Sequence, residues 1–365
     1  MAEKVIQWKN LLDFCKGVLM KLGVSENDAF MVADNLVSSN LRGIDSHGVA
    51  RLDRYVDGIK TKYIIPDVKP KITKESAVLA NVDGQNGLGQ VIGTFGMELA
   101  ITKALKNGFG MVSVFNSNHY GYAGYYSMMA LKHNLIGISM TNSAPLVVPT
   151  FGKNALMGTN PIAVAAPTKK NRPWVMDFAT STVPRGKIEV YNRLNKKMPL
   201  GWATDENGNV TDDAVRVERN LKDLLGGGLL PLGGAGETYG GHKGYGLTVM
   251  IDMFCAILSG SNYGPHVVSK KDGKIVYPKV GHSFMVIDPE YFAGIDEFKK
   301  SMDHYIDELK NSAKAEGESR IYVHGEKEFE MQEHREKAGC PLDEKTVEKL
   351  LSLSRIFSVP IKFIN

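Results

Sequence analysis

Gly84-Gln85-Asn86-Gly87-Leu88-Gly89 is the stretch that decides the fold. It follows an apolar run, Ala77 to Val82, that reads as a strand, and it precedes a helical pattern from about Gln90 to Lys106. Strand, glycine loop and helix in that order mark the place where a doubly wound sheet carries G-x-G-x-x-G, the spacing that brings backbone amides against a pyrophosphate at a helix start. Here the spacing is reversed, G-x-x-G-x-G, and it is reversed again in Gly241-His242-Lys243-Gly244-Tyr245-Gly246. The chain alternates strands and helices without the Rossmann fingerprint.

Downstream, Gly110 to Phe115 and Ile136 to Thr141 read as strands around a helix over Tyr122 to His133, a β-α-β-α-β pattern that predicts parallel units. Further strands are expected at Ile162 to Ala166, Trp174 to Phe178, Ser283 to Ile287 and Ile321 to Val323. A glycine-rich passage from Gly226 to Gly246 opens a helix over Leu247 to Leu258, and Ile295 to Ala313 carries a helical stripe inside a densely charged region that reads as a solvated face. Upstream lie three amphipathic helices. The first covers residues 6 to 22. The second starts behind a capping box, Ser25-Glu26-Asn27-Asp28, and ends near Gly43; the third runs from Val49 to Ile59, before a linker with Pro66 and Pro70.

Composition narrows the function classes. With 44 basic and 40 acidic residues the 365-residue chain has a net charge of +4, so it lacks the field that a polyanion would need, and nucleic acid is not an expected partner. No stretch nears the eighteen or so apolar residues of a spanning helix, and Met1-Ala2-Glu3-Lys4-Val5 lacks the layout of a signal peptide, so a cytoplasmic protein without membrane association is expected. The cysteines, Cys15, Cys255 and Cys340, are too scattered for a zinc site or a disulfide framework, and the histidines show no metal-binding spacing. No metal is expected.

Chemistry-bearing residues gather in several loops. In Arg42-Gly43-Ile44-Asp45-Ser46-His47-Gly48-Val49-Ala50-Arg51-Leu52-Asp53-Arg54-Tyr55, His47 follows a helix end, and Arg51 and Tyr55 follow at four-residue steps on one helix face. An imidazole that titrates near neutrality beside a guanidinium fork suits an acid substrate. The bland alternative is that His47 caps the helix while Arg51 pairs with Asp45 or Asp53. Asn116-Ser117-Asn118-His119-Tyr120-Gly121-Tyr122 and Thr141-Asn142-Ser143-Ala144-Pro145 end two neighbouring strands in small polar residues, either at a ligand or as helix caps. Gly158-Thr159-Asn160-Pro161, Asp177-Phe178-Ala179-Thr180-Ser181, Lys243 among its glycines, and His324-Gly325-Glu326 complete the set.

With these residues assembled, nearly the whole chain resembles the malate/L-lactate dehydrogenase family of non-Rossmann type, which also holds ureidoglycolate, sulfolactate and diketogulonate oxidoreductases and Δ1-piperideine-2-carboxylate reductases. The resemblance rests on Asp45-Ser46-His47-Gly48 with Arg51 and Tyr55, Ser117-Asn118-His119-Tyr120-Gly121, Thr141-Asn142-Ser143, Gly158-Thr159-Asn160-Pro161, Gly186-Lys187-Ile188, Gly201-Trp202-Ala203 and Lys243-Gly244-Tyr245-Gly246. Where members commonly read Pro-Gly-Glu, this chain has His324-Gly325-Glu326.

The resemblance implies an α/β fold of α+β type: a helical N-terminal domain and a cofactor-binding domain with a mixed, largely antiparallel sheet. The implied division is 1–75, joined by the helix around 290–318, against 76–289 with 319–365. It implies hydride transfer between NAD, or NADP, and a small 2-hydroxy acid, L-malate first. By resemblance His47 and His119 are catalytic with Ser46; Arg51, Tyr55 and Thr159 bind substrate; Ser143, Asp177, Ala179, Thr180, Ser181, Lys243, His324, Gly325 and Glu326 contact the cofactor. Arg185 and Lys187 are candidates for a second carboxylate-binding cation. A homodimer is implied as well; a non-catalytic nucleotide-binding protein is the rival class.

Overall fold

The computed structural model describes residues 4–364. Helices α1 (Trp8–Met20), α2 (Glu26–Leu41) and α3 (Leu52–Lys60) form at the three amphipathic stretches, and the Ser25 hydroxyl accepts the Asp28 amide at 3.2 Å, as the capping box requires. Their apolar faces meet through Leu11, Phe14, Val18, Val32, Leu36, Leu52 and Val56. Each such side chain contributes roughly 1.5–3 kcal/mol on burial.

The expectation that residues 319–365 accompany the sheet fails for their last part. Val347, Leu350 and Leu353 of the C-terminal helix Glu344–Phe357 complete this helical core, and the strand Cys340–Leu342 pairs with Lys4–Ile6. The helix Ile295–Asn311, expected to join the helical unit, packs against the sheet unit instead. It buries only Asp303 and Ile306, and the Asp303 carboxylate accepts the amides of Lys169, Lys170 and Asn171. That carboxylate satisfies a turn, so polar contacts help to fix the element alongside buried Ile306.

The second unit is built on seven strands: β1 (Lys71–Glu75), β2 (Leu79–Asp83), β3 (Phe109–Ser117), β4 (Ile136–Thr141), β5 (Ile162–Ala166), β6 (Trp174–Phe178) and β7 (Val280–Ile287). Their order is β1-β2-β3-β7-β4-β5-β6. Helix α4 (Gly89–Asn107) crosses over from β2 to β3, which run parallel; every other neighbouring pair is antiparallel. Strands β2, β3 and β4 do point the same way, but β7 inserts between β3 and β4 and converts a parallel reading into a mixed sheet. A strand buried on both faces is an apolar run whatever its direction, so local pattern cannot announce such an insertion.

Ile321 to Val323 forms no strand. It lies beside edge strand β6 with a single bond, from the Val175 amide to the His324 carbonyl at 3.2 Å. The expected helix at Leu247 starts earlier, over Gly241–Asp252, and continues as a π-turn through Met253–Ile257. On the helix-covered face of the sheet, Val112, Val114, Phe284 and Val286 pack against Ile92, Met97, Tyr120 and Tyr126. Among the described residues no helix is long and apolar enough to cross a membrane.

Candidate active site

Immediately after α2, Gly43 takes a left-handed conformation (φ 76°) and the chain makes one tight turn over Asp45–His47. Asn40 staples this turn at both ends: its Nδ2 donates to Asp45 Oδ1 at 2.6 Å and its Oδ1 accepts the Val49 amide at 2.8 Å. A Cβ at Gly48 would lie 2.2 Å from that Oδ1, so only glycine closes the turn without displacing Asn40. Within the turn the Ser46 hydroxyl is 2.9 Å from His47 Nδ1, and Arg51 Nε donates to the Ser46 carbonyl at 2.7 Å. The bland pairing of Arg51 does not occur. Asp45 is held by Arg335 and Asp53 by Lys349, which leaves the Arg51 guanidinium anchored by its stem beside His47.

His119 arrives from the loop after β3 (Phe109–Ser117), and the opening glycine run is what lets it settle there. Asn118 Nδ2 donates to the carbonyls of Asn86 and Gly87, and a Cβ at Gly89 would sit 2.3 Å from the carbonyl oxygens of both Asn118 and His119. The reversed motif is therefore a close joint between the start of α4 and the loop that carries His119. The phenol of buried Tyr55 is 2.8 Å from His119 Nδ1, and the Gly121 amide points at the same nitrogen from 3.4 Å. With an N–H aimed at Nδ1, that nitrogen accepts, and the neutral ring carries its proton on Nε2.

The two imidazoles stack with centroids 5.7 Å apart and planes 20° from parallel. Burial, with the positive charges of Arg51 and Arg54, lowers the His47 pKa to about 4. His119 is pushed well below its usual range by burial, then by Arg54, His47, Arg51 and His282. Both rings are neutral at pH 7, each able to accept one proton. Behind them a third, His282, is wholly buried on β7; its Nδ1 and Nε2 lie 2.8 Å from the hydroxyls of Thr141 and Ser117, and burial lowers its pKa to about 3. Ser117 and Thr141 thus tie strand ends together rather than face a ligand.

Beside His47 opens a cleft of about 720 Å³. Ser46 and His47 form part of one wall, Thr159, Asp177, Ala179 and Ser181 come from the β5 and β6 side, and His324 with Gly325 close one end. Asp177 accepts the Gly124 amide at 2.7 Å, and burial raises its carboxyl to about 6 despite that bond and Arg42. Other expected contacts lie outside the cleft. Thr180 is fully buried and bonded to the carbonyls of Thr159 and Asn160; Ser143 stands behind Thr159, whose amide it accepts at 3.0 Å. Lys243 is exposed in the first turn of its helix, away from the cleft lining. The Glu326 carboxylate turns inward to Lys310 and Arg320, both at 2.6 Å, so the turn uses it internally. Arg185 pairs with Glu189 and Lys187 lies over the Trp202 ring, neither of them lining the cleft.

Four cations received no role from the sequence. Arg42 and Lys327 line the cleft, and Arg54 projects its charge onto both His47 and His119. Arg42 and Arg54 belong to the first quoted cluster, at steps that place Arg54 one helical turn beyond Arg51. Arg335, which grips Asp45, lay in a charged stretch that reads as surface.

Comparison with known proteins agrees with this geometry. The family described as malate/L-lactate dehydrogenase matches residues 6–351. The malate dehydrogenase of Pyrococcus abyssi is 49% identical over 94% of this chain and 92% of its own length. The malate/(S)-sulfolactate dehydrogenase of Methanothermus fervidus is 40% identical over 92% of this chain and 93% of its own. Among solved structures, malate dehydrogenase from Entamoeba histolytica superposes with a TM-score of 0.94 at 39% identity, covering 99% of this chain and 100% of that one. The stacked histidines, the adjoining arginine and a mostly antiparallel sheet without the Rossmann motif sit in a chain that belongs to the malate/L-lactate dehydrogenase family, and it is a 2-hydroxy-acid dehydrogenase.

Proposed function

We propose that the substrate pair is L-malate and oxaloacetate, with NAD(H) as the first cofactor to test and NADP(H) as its alternative. The observation that carries this reading is the stacked His47–His119 pair beside Arg51, with His47 lining a cleft large enough for a nicotinamide cofactor. The cleft suits that group: the hydroxyl-bearing residues Thr159, Ser181 and Thr182 line it, and the amino end of the Glu326–Ala338 helix, at left-handed Gly325, opens into it. Of the expected contacts, Asp177, Ala179, Ser181, His324 and Gly325 would hold the cofactor. When bound, the cofactor supplies or accepts the hydride.

The protein's own part is to orient the acid and move one proton. Arg51 offers its fork to the C1 carboxylate. In the oxidation direction neutral His47, aligned by Ser46, accepts the hydroxyl proton. His119, held by Tyr55 at Nδ1, directs its Nε2–H at the substrate oxygen and stabilises charge developing there. Thr159 stands across the cleft as a further substrate contact. Arrival of a carboxylate cancels part of the field of Arg51 and Arg54, so the His47 pKa rises when the substrate is bound and the ring becomes a better base. A dicarboxylate needs a second cation, and Arg54, whose charge acts on both His47 and His119, is our choice over Arg185 and Lys187, which are engaged with Glu189 and Trp202.

We further propose a homodimer in a reducing, cytoplasmic setting. The free cysteines Cys15, Cys255 and Cys340 are all buried, and Leu247, Val249, Met253, Ile257 and Leu258 expose a contiguous apolar stretch for a second copy to cover. Light scattering before and after Ile257→Asp checks the dimer: a twofold fall in mass is expected, and a wild-type protein already monomeric contradicts it.

The deciding experiment adds NADH and NADPH in parallel and follows quenching of tryptophan emission; Trp174 stands 5.7 Å from the His324 ring at the cleft end. Loss of reduced-nicotinamide absorbance is then recorded with oxaloacetate, pyruvate, sulfopyruvate and a cyclic imino acid. Oxaloacetate is expected to give the highest kcat/KM. A higher value for any other acid transfers the assignment to that acid.

A further inference from the structure

The Glu326–Ala338 helix touches the cleft with its first turn and the His47 turn with its last. Gly325, Lys327 and Glu328 line the cleft. Along the same helix Phe329 carries the Arg42 guanidinium at 4.4 Å, Gln332 accepts from Arg42 Nη1 at 3.3 Å, and Arg335 reaches the turn itself. Arg335 is 8% exposed and binds Asp45 through both terminal nitrogens, Nη1 to Oδ1 at 2.7 Å and Nη2 to Oδ2 at 3.1 Å, while Nη1 also donates to the Asn40 carbonyl at 2.5 Å. A fork bound to a carboxylate on two parallel bonds fixes orientation as well as distance, which a lysine at the same place does not. Asp45 precedes Ser46 and His47 directly, in a turn whose other end is closed by Asn40 and Gly48.

We propose that Arg335, through its two-bond pair with Asp45, is the positioning residue for His47: it sets the pitch of the Ser46–His47 turn, and it does so from a helix whose opposite end forms the cleft wall. The assignment rests on His47 being the proton-transfer residue. Arg335 touches neither cleft nor acid. Its removal therefore leaves binding intact and misplaces the base, and a misplacement near 1 Å costs about 10²-fold in rate.

The test uses the full-length enzyme and the variants Arg335→Met, Arg335→Lys, Asp45→Asn and the double variant Asp45→Asn/Arg335→Met. NADH titration by fluorescence counts competent sites, and kcat is expressed per such site, which removes loss through unfolding. Arg335→Met and Asp45→Asn are expected to lower kcat by about 10- to 100-fold. The NADH dissociation constant should stay within about twofold, the solvent deuterium isotope effect on kcat should grow, and Arg335→Lys should recover part of the loss. Because the two residues act as one pair, the double variant should be no slower than the worse single one. Arg172→Met, which removes an ion pair to Glu330 and Glu333 on the same helix, should leave kcat unchanged.

Unaltered kcat per site in Asp45→Asn and Arg335→Met, losses that multiply in the double variant, or an equal loss in Arg172→Met would each overturn the positioning role. If Arg335→Met does not fold, Asp45→Asn, which keeps its shape and acceptor oxygen, decides alone. Near-normal turnover in His47→Ala would overturn the assignment of His47 itself, an outcome separate from the others.

Discussion

At the scale of single residues, the site is an arrangement of neutral imidazoles under positive charge. His47→Ala should lower turnover by roughly 10² to 10⁴ while NADH binding persists, since only proton transfer is lost; turnover near that of the parent enzyme would remove His47 from the mechanism. Arg51→Lys should raise the KM for the acid more than it lowers kcat, because a point ammonium keeps the charge and loses the fork. An unchanged KM in steady-state kinetics would place the carboxylate elsewhere. His47, His119, Arg51 and Tyr55 come together in the fold, and their grouping could be read in the sequence because they sit at helical steps and in small polar loops. Lys243, Thr180 and Glu326, expected at the cofactor, lie outside the cleft lining for a shared reason. A hydroxyl, an ammonium or a carboxylate beside glycines looks the same in sequence whether it faces a cleft, faces solvent or closes an internal network, and only the path of the backbone separates these cases. Arg335 is the opposite case, one charge among many in a stretch that reads as solvated surface.

At the scale of elements, the glycine run 84–89 shows what a motif means when its spacing is wrong for the familiar use. It joins the amino end of α4 to the carbonyls of Asn118 and His119, and it ties the helix start to the loop that carries the second imidazole. Gly89→Ala places a Cβ against two backbone oxygens that cannot swing aside, so the loop itself must move. The expected outcome is a loss of roughly 1–3 kcal/mol in unfolding free energy together with reduced kcat. A fall in Tm without any change in kcat would mean that the His119 loop does not depend on this joint. The helices of the first unit and most strands of the second were readable from periodicity, including α4 to within a residue at either end. What periodicity could not carry was partnership. Nothing near β3 or β4 shows that β7, from late in the chain, will part them, or that the helix Glu344–Phe357 returns to the first core. Such pairings are settled by which apolar faces remain uncovered once the local elements exist.

At the scale of the whole molecule, neutral buried histidines make folding depend on pH. Three of them, His47, His119 and His282, have folded pKa values held below the ordinary 6.5 chiefly by burial, at about 4 for His47 and about 3 for His282. A histidine with a depressed folded pKa binds its proton more readily when the chain is unfolded, so the unfolded state gains protons and stability falls as pH drops below 6.5. For His47 the loss continues to about pH 4, and for His282 to about pH 3. Asp177 acts in the opposite sense. Its carboxyl, raised to about 6, is protonated first in the folded state, so acidification from pH 6 towards 3.8 favours folding at this one site. Burial raises the Asp252 carboxyl in the same sense. Two carboxyls offset at most two of three imidazoles, and carboxylates held low by ion pairs, such as Glu206 beside Arg216, add to the loss in acid. The net effect is uptake of protons on unfolding, each worth about 1.4 kcal/mol per pH unit. Urea unfolding at pH 7.5, 6.0, 5.0 and 4.5 should therefore show a flat region above pH 6.5 and a progressive decline below it. Because His282 bonds to Ser117 and Thr141 through both nitrogens, His282→Gln should be less stable at pH 7.5 yet decline less steeply in acid, its protonatable group being gone. Stability that holds level from pH 7.5 to 4.5, or a variant slope as steep as the parent's, would show that these rings are already charged in the folded protein, and that a neutral base at His47 is not what the dehydrogenase uses.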